Sequence, residues 1–180
     1  MLVPTHKRTT TGFTLLENLV IVFMISILTA IAAPAWIGLT RRVALNSAND
    51  QIYMALRQAQ SRAKQQKITV QVSFRQQDNR AQWAIHPANT PPETAIWYSL
   101  DSAVEINTAE TTLYKYPTGT LWRMQFNHKG HANGRLGRIT VSVRNSSLPD
   151  KRCVFVSTLL GAIRKAQENV RADSGGRYCY

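Results

Sequence analysis

The feature that most constrains this chain is a run without charge near its beginning. Residues 18–40 contain no Asp, Glu, Lys or Arg, and residues 19–33 are nearly all apolar. A helix of about 20 apolar residues is long enough to cross a bilayer. Lys7 and Arg8 precede the run, and positive charge beside a membrane helix favours the cytoplasmic side. We therefore expect one membrane helix, with the residues after it outside the cytoplasm.

An ordinary secretory signal peptide is the alternative interpretation of this run. It would be cut after its apolar core, at small residues such as those at 30–33. Glu17 argues against that interpretation, because it stands at the very start of the apolar segment. A carboxylate in that position is costly in a membrane and needs a specific reason.

Residues 11–17 read TGFTLLE, and this heptapeptide resembles the processing signal of type IV prepilins. The resemblance implies that prepilin peptidase cuts between Gly12 and Phe13, and that the new amino group of Phe13 is methylated. It also implies that Glu17 pairs with the Phe13 amine of a neighbouring subunit, and that Pro34 kinks the helix. The chain would then be a single-pass protein of the inner membrane that joins other pilins in a pilus or pseudopilus.

The amphipathic pattern of residues 45–63 predicts that the helix continues beyond the apolar run. Small and large apolar residues recur there at spacings of three or four, which gives one apolar face. A face of this kind usually packs on a protein core, so we expect it to lie on a sheet. Its members are Leu45, Ala48, Ile52, Leu56, Ala59 and Ala63.

The rest of the chain is typical of an antiparallel, strand-rich domain. Residues 67–75 alternate apolar and polar side chains, residues 77–79 form a turn, and residues 82–86 are the returning strand. Further strands are predicted at residues 95–98, 104–106, 121–126, 138–144 and 153–158. The expected fold class is therefore α+β, with one long helix and a β-rich head.

The last third is similar to a second group, the H-type pseudopilins and related minor pilins. The similarity covers residues 126–130, 133–134, 139–143 and 152–157. It implies a head of two small antiparallel sheets packed on the helix, and a minor rather than a major subunit. The expected organisation is a leader at 1–12, an anchor and filament-core helix at 13–66, and a head at 67–180.

The charge of the chain is strongly positive, at +12 with 22 Lys and Arg against 10 Asp and Glu. Residues 121–180 hold eleven of these cations against Asp150, Glu168 and Asp173, so we expect the positive field mainly there and at 41–80. An excess of this kind indicates anionic partners, such as nucleic acid, acidic polysaccharide or lipid headgroups. An ordinary basic surface is the alternative interpretation.

Some minor pilins of natural transformation bind DNA through a C-terminal G-R-x-R segment. Residues 161–164 of this chain, GAIR, stand in the matching place, with Ala162 instead of the first arginine. The resemblance implies DNA binding through a basic C-terminal segment, and such phosphate contacts would be independent of base sequence and sensitive to salt. The candidate residues are Arg164, Lys165, Arg171 and Arg177.

The two cysteines, Cys153 and Cys179, both lie near the C-terminus. An even number of cysteines in a chain that leaves the cytoplasm favours one disulfide, which would close a loop of roughly 25 residues. The alternative is two free thiols.

No catalytic motif is present. The sequence has no glycine-rich phosphate loop, no H-E-x-x-H and no nucleophile elbow, and His128 and His131 have no Cys or carboxylate close by. We therefore expect a protein that is not an enzyme, with no metal and no cofactor. The predicted function is that of a minor pilin of a type IV pilus; the alternative is an H-type pseudopilin of a type II secretion system.

Overall fold

The computed structural model of the chain describes residues 14–117, 119–144 and 150–180, with the backbone alone at Pro34. The chain divides into two compact units, Met1–Leu39 and Thr40–Tyr180. The first unit contributes the beginning of the α-helix described here, and the second contributes the rest of that helix and the strands of the described ranges.

The helix, α1, spans Leu15–Gln66. Thr14 precedes it, and its Oγ1 accepts a hydrogen bond of 3.2 Å from the backbone N–H of Glu17. A threonine in this position satisfies one of the donors that the first turn leaves free. Lys67 follows the last turn with φ at 58°, a left-handed conformation that ends helices.

Ten strands follow α1 in the described part of the chain, together with one 3₁₀ turn at Pro92–Thr94. The strands are β1 Val70–Gln77, β2 Arg80–Pro87, β3 Tyr98–Ser99, β4 Val104–Ile106, β5 Tyr114–Lys115, β6 Leu121–Phe126, β7 Ala132–Asn133, β8 Gly137–Val143, β9 Lys151–Val156 and β10 Ile163–Gln167. They form two antiparallel sheets.

Sheet A has the strand order β3-β2-β1-β6-β5, and β7 pairs with β6 beside β5. Its centre is the β1–β2 hairpin, whose two turn residues are Asp78 and Asn79. Both have positive φ, 48° and 60°, which is the conformation that a tight two-residue hairpin turn requires. Aspartate and asparagine tolerate this conformation better than most residues, so the sequence and the turn agree.

Sheet B has the order β10-β9-β8-β4. Its central pair is β8 and β9, in which Thr140 lies opposite Cys153 and Arg138 opposite Phe155. β10 is an edge strand and pairs with β9 along its whole length, with Arg164 opposite Phe155.

One hydrophobic core joins α1 to both sheets. The six residues of the predicted apolar face of α1 are each 0% exposed, and they pack with apolar residues from β1, β6, β8 and β9. The α+β fold with a helix on two antiparallel sheets is therefore confirmed.

The predicted strands agree with the structure at 104–106 and 121–126 and differ at other places. The first strand begins at Val70 rather than at 67, because Lys67 adopts a left-handed conformation and Ile68 remains 40% exposed. Three strands were not predicted, β5, β7 and β10. Two of them have only two residues, and β10 has a single buried residue, Ile163, so none has an alternating pattern to detect.

Candidate functional site

The first functional surface is the part of α1 in the first unit, residues 15–39. Its large apolar side chains are exposed, for example Leu15 at 82%, Phe23 at 64% and Trp36 at 69%. Among the helices of the described ranges, α1 is long and apolar enough to cross a membrane by length and composition. Contiguous apolar surface of this kind needs lipid or protein around it.

Glu17 lies in the first turn of α1, where its side chain is exposed. Together with Thr14 it forms the T-x-x-E pattern of a capping box, and the half in which the threonine accepts from the Glu17 N–H is present. A negative charge in the first turn also interacts favourably with the helix dipole. Glu17 thus has a local role in starting α1, beside the intersubunit pairing expected from the resemblance.

The structure gives little information on three of the residues expected to act in processing and assembly: Gly12, Phe13 and Pro34. Gly12 and Phe13 lie outside the described residues, so cleavage and methylation stay predictions. α1 continues through position 34, so the helix does not end at Pro34. The kink expected there also stays a prediction, because the side chain of Pro34 is not described.

Arg164 and Lys165, the central pair of the proposed DNA-binding segment, lie on opposite faces of β10. Lys165 faces α1, where its Nζ is 2.8 Å from Asp50 Oδ1 and 5.5 Å from the centre of the Tyr53 ring. Arg164 is exposed on the other face, with its guanidinium 5.0 Å from the centre of the Phe155 ring. One strand therefore does not present both charges to the same ligand.

The other two candidates, Arg171 and Arg177, belong to the loop between β10 and the C-terminus. The loop is closed by backbone hydrogen bonds from Asn169 N–H to Tyr178 O, 2.8 Å, and from Asp173 N–H to Arg177 O, 2.7 Å. Arg171 is exposed, and within the described ranges it forms no ion pair. The tail is thus a closed, hydrogen-bonded loop rather than a free basic arm.

Gly161, which matches the first residue of the G-R-x-R segment, has a structural reason to be glycine. Its φ is 82°, and a Cβ placed there would lie 2.5 Å from Nε2 of Gln60 and 2.7 Å from the carbonyl oxygen of Gly130. Gln60 is buried in α1 and donates hydrogen bonds to the carbonyl oxygens of Gly130, 2.8 Å, and Gly161, 2.9 Å. The glycine therefore allows two loops to close on the helix.

The cysteines are joined, with sulfur atoms 2.00 Å apart and Cα atoms 6.2 Å apart. Cys153 lies in β9 and Cys179 is one residue before the end of the chain, and both are 0% exposed. An isolated bridge between Glu168 and Cys179 continues the pairing beyond β10. The disulfide thereby attaches the end of the chain to the middle of sheet B.

A buried charge cluster, which the sequence did not reveal, surrounds this attachment. Nζ of Lys151 is 2.7 Å from Oε1 of Glu110 and 3.5 Å from Oε1 of Glu168. The second oxygen of Glu110 accepts a hydrogen bond of 3.2 Å from the backbone N–H of Cys179. Glu110 is 6% exposed, so its charge is neutralised by protein groups rather than by water.

Arg138 completes this cluster from β8. It is 2% exposed, donates to the carbonyl oxygens of Glu110 and Cys179, and lies 3.5 Å from Oδ2 of Asp173. Its guanidinium therefore holds the loop of Glu110 and the C-terminal loop against the same strand. A guanidinium suits this position, because it offers five donors in a fixed plane.

The pKa values of Glu110 and Lys151 are shifted in the directions that stabilise the charged pair, whereas burial lowers the pKa of Arg138. Burial by itself would raise the pKa of Glu110, but hydrogen bonds from Lys151 and from the backbone N–H of Cys179 outweigh it and lower that pKa below 4.5. Burial by itself would lower the pKa of Lys151, and Glu110 with Glu168 outweighs it and raises that pKa. Both groups are therefore held ionised near neutral pH.

The cations of sheet A have different partners. Its strands contain no Asp or Glu, and within the described residues none of their cations forms an ion pair. Arg75 lies 3.9 Å from the centre of the Trp97 ring instead, and Arg123 lies 4.5 Å and 4.9 Å from the centres of the Tyr114 and Tyr116 rings. Aromatic rings attract such cations without neutralising their charge.

Arg123 also borders a small cavity of about 50 Å³ between β5, β6 and β7. Tyr114, Gln125, Asn133 and Arg135 share its wall. The pairing of Tyr114 with Arg123 and of Gln125 with Asn133 places these side chains along one face of sheet A. Two arginines thus line one cavity. The sequence did not indicate this site, because Arg135 and Tyr114 belong to no motif and to no alternating segment.

In the described ranges, no group of three or more His, Cys, Asp or Glu side chains is placed to hold a metal ion. His86 is buried, with Nε2 2.9 Å from Ser73 Oγ and Nδ1 2.9 Å from Pro87 O. Its two ring nitrogens are therefore satisfied by the protein.

Comparison with known proteins found similar solved structures. The type IV minor pilin FimU of Pseudomonas aeruginosa is 14% identical, covers 70% of this chain and 90% of its own, and has a TM-score of 0.48. The minor pseudopilin EpsH from the type 2 secretion system of Vibrio cholerae is 10% identical, covers 67% of this chain and 94% of its own, and has a TM-score of 0.47. No family model and no curated protein matches the chain.

Proposed function

We propose that this chain is a minor subunit of a type IV pilus, made as a prepilin, cut between Gly12 and Phe13 and assembled through α1. The observation that carries the proposal is the position of Glu17. It starts a segment whose apolar side chains are exposed from Leu15 onward and which contains no further charge up to Thr40. A carboxylate at the end of such a segment needs a partner charge, and the amino group freed by cleavage would supply it.

The architecture of α1 supports the same function. Its residues 15–39 offer an apolar surface for lipid before assembly and for neighbouring helices afterwards. Its residues 45–63 form part of the core of the β-rich unit. Because one uninterrupted helix contributes to both, each copy in a filament would carry a folded head.

Cleavage is tested first, by producing the full chain in membranes together with a prepilin peptidase and measuring its intact mass. We expect loss of residues 1–12 and addition of one methyl group to Phe13. A Gly12→Val variant should remain uncut, because glycine before the cut allows a close backbone approach that a branched side chain prevents. Thr11→Val is the matched control and should be cut normally.

Assembly is tested second, by measuring the fraction of the chain in sheared filaments. Glu17→Gln keeps the shape of the side chain and removes its charge, and we expect it to be cut but to enter filaments several times less often. Asp50→Asn is the matched control, because it removes one carboxylate from the same helix outside the apolar segment. Normal incorporation of Glu17→Gln would contradict the pairing.

A pseudopilin of a type II secretion system is the alternative function, and it requires the same leader and the same helix. The two functions differ in what is lost with the protein. Deleting the gene should abolish or reduce pili if the chain is a minor pilin, whereas loss of exoprotein secretion with normal pili would favour the pseudopilin.

DNA binding through the basic C-terminal segment remains a second proposal. It rests on Arg164 and Arg171, which are exposed and form no ion pair with the described residues. Lys165 is a weaker candidate because Asp50 neutralises it. A titration of DNA against Arg164→Ala/Arg171→Ala tests it, and a loss of affinity and of salt dependence would support it.

A further inference from the structure

We propose that the cavity between β5, β6 and β7 is a phosphate-binding subsite through which the head holds a single strand of nucleic acid. The subsite comprises Arg123 on β6, Arg135 in the loop after β7, and the ring of Tyr114 on β5. It lies on sheet A and is separate from the basic C-terminal loop.

The charge of the two arginines is available to a ligand. Arg135 is exposed and makes no hydrogen bond, ion pair or ring contact with the described residues. Arg123 is half-buried, and its guanidinium is held by the Tyr114 and Tyr116 rings and by a hydrogen bond of 3.2 Å to Tyr116 Oη. A planar guanidinium held in one orientation is well suited to a phosphate group, which it can bind with two parallel hydrogen bonds.

The size of the cavity restricts the ligand. At about 50 Å³ it has the volume of one small anion rather than of a nucleoside. The amide of Asn133 is exposed at the same wall and would add a donor for a phosphate oxygen. A phosphate in the cavity would therefore belong to a larger molecule that continues outside it.

The ring of Tyr114 points to what that larger molecule is. Tyr114 is 38% exposed. The Arg123 guanidinium lies 4.5 Å from the centre of its ring, and the Tyr116 ring meets it edge to face with the ring centres 5.9 Å apart. A nucleic-acid strand presents a phosphate and a flat aromatic base within one nucleotide, and every base has a face that can stack on an aromatic side chain. Because the base must be free to stack, the strand should be single. An acidic polysaccharide would satisfy the charge but has no aromatic ring to stack.

The strands of sheet A contain no acid, although Asp78 lies in the turn between β1 and β2, and this supports an anionic ligand of either kind. No Asp or Glu lies in its strands, and the acidic residues of the head that form ion pairs do so with cations of α1 and of the sheet B side. A polyanion that approached sheet A would therefore meet little like charge.

The test uses the full chain in detergent micelles and a fluorescein-labelled oligothymidylate, with binding followed by fluorescence anisotropy at several salt concentrations. The variants are Arg123→Ala/Arg135→Ala and the charge-matched Arg41→Ala/Arg62→Ala, which removes two exposed cations of α1 that form no ion pair with the described residues. We expect the first to lower affinity about tenfold and to reduce the salt slope by about 0.7 for each phosphate that the protein no longer neutralises. The second should stay close to the unchanged protein.

A third variant tests the aromatic part. Tyr114→Leu keeps both arginines, and we expect it to weaken the oligothymidylate several-fold while leaving heparin binding unchanged. A duplex of the same length should bind less tightly and should not respond to Tyr114→Leu. Arg135→Ala alone keeps the test decisive if Arg123→Ala disturbs folding, because Arg135 makes no contact that the fold needs, and circular dichroism checks each variant.

Three outcomes would overturn the proposal. Equal losses from the two double variants would show a general positive field instead of a site. Heparin binding that depends on Arg123 and Arg135, with oligothymidylate binding that does not, would assign the surface to acidic polysaccharide. No binding of oligothymidylate at low salt would remove the nucleic-acid ligand altogether. Cleavage and filament incorporation of the variants should be normal in every case, so failure here leaves the filament function untouched.

Discussion

The cations of the two sheets of the head have different kinds of partners. On sheet B, Arg138 is buried and Lys151 is partly buried. Their charges meet carboxylates and backbone carbonyls, and a disulfide joins the same region to the end of the chain. On sheet A, Arg75 and Arg123 rest on aromatic rings, without an acidic partner among the described residues. An ion pair stabilises the fold and neutralises the cation. A contact with an aromatic ring positions the cation without neutralising it.

This difference changes where the positive field of the molecule lies. The sequence places eleven cations in residues 121–180, but five of them are in ion pairs: Arg138, Arg144, Lys151, Arg152 and Lys165. A count of cations along the sequence therefore overstates the charge that residues 121–180 can offer to a ligand. Its free charge includes Arg123 and Arg135 on the sheet A side and Arg164 and Arg171 on the other.

The largest expected effect concerns the disulfide that attaches the C-terminal loop to sheet B. Cys153→Ala/Cys179→Ala opens a loop with a sequence separation of 26, and the chain-entropy estimate for such a loop is about 3.5 kcal/mol of lost unfolding free energy. Urea unfolding of the full chain in detergent measures it. A reducing agent should destabilise the unchanged protein to a similar degree and should have no effect on the variant. Equal stability of the two proteins would contradict this role of the disulfide.

The second-largest effect is expected for the ion pair between Glu110 and Lys151. Glu110→Gln removes the charge that faces Lys151 and leaves that ammonium in a largely buried position with only Glu168, so we expect a loss of about 3 kcal/mol. Glu105→Gln is the matched control, because the Glu105 side chain is 41% exposed and lies 3.9 Å from Arg144. It should change the unfolding free energy by less than about 1 kcal/mol. Similar losses would remove the distinction between buried and exposed pairs.

The same pair predicts a pH dependence. The pKa of Glu110 is lower in the folded chain than the ordinary value of 4.5, so its charge stabilises the fold above that value and the stabilisation is lost as pH falls through the folded pKa. The difference in unfolding free energy between the unchanged protein and Glu110→Gln should thus be constant above about pH 5.5 and shrink in more acidic solution. A difference that grows on acidification would contradict this assignment.

A smaller effect is expected on sheet A. Arg75→Ala removes the contact with Trp97 and a hydrogen bond of 2.8 Å to Gln82, which together should cost about 1 kcal/mol. Arg80→Ala, an exposed cation on the neighbouring strand, is the control and should have no measurable effect. The emission spectrum of tryptophan should shift in Arg75→Ala only, since Trp97 becomes uncovered. An unshifted spectrum would argue that the ring contact is not formed in solution.

The smallest effect is expected at Lys165. The hydrogen bond with Asp50 raises its pKa, but both side chains are about half exposed, 47% and 60%, and water competes for the pair. Lys165→Ala should leave Tm unchanged within error, at low and at high salt. A clear drop in Tm would show that β10 depends on this exposed pair, and would make the two sheets less different than their contacts indicate.

Much of the fold followed from local pattern. The helical face of six residues from Leu45 to Ala63 was predicted in full, because a 3.6-residue period survives in sequence whenever one face is buried. A turn was predicted at 77–79, and the structure has it at Asp78 and Asn79, residues that tolerate positive φ. The strands β5, β7 and β10 were missed, because pairing at the edge of a sheet stabilises short segments that have no pattern of their own.

The candidate sites followed less well from sequence. Arg164 and Lys165 are neighbours in the chain, and their separation onto two faces is a consequence of strand geometry, in which successive side chains alternate. Nothing local marks Glu110 or Arg138 as buried. In sequence Arg138 begins an alternating polar face that is typical of an exposed strand, and the loop of Glu110 and the C-terminal loop cover it only in the folded chain.

The sequence by itself determined the apolar segment, the starting position of Glu17, the long amphipathic helix and the α+β class, because each depends on composition and on a short period. Only the tertiary structure decided which charges are neutralised. Lys151 meets Glu110 across 41 residues, and Lys165 meets Asp50 across 115. Neutralisation depends on distances of a few ångströms between groups far apart in the chain, and folding alone sets those distances.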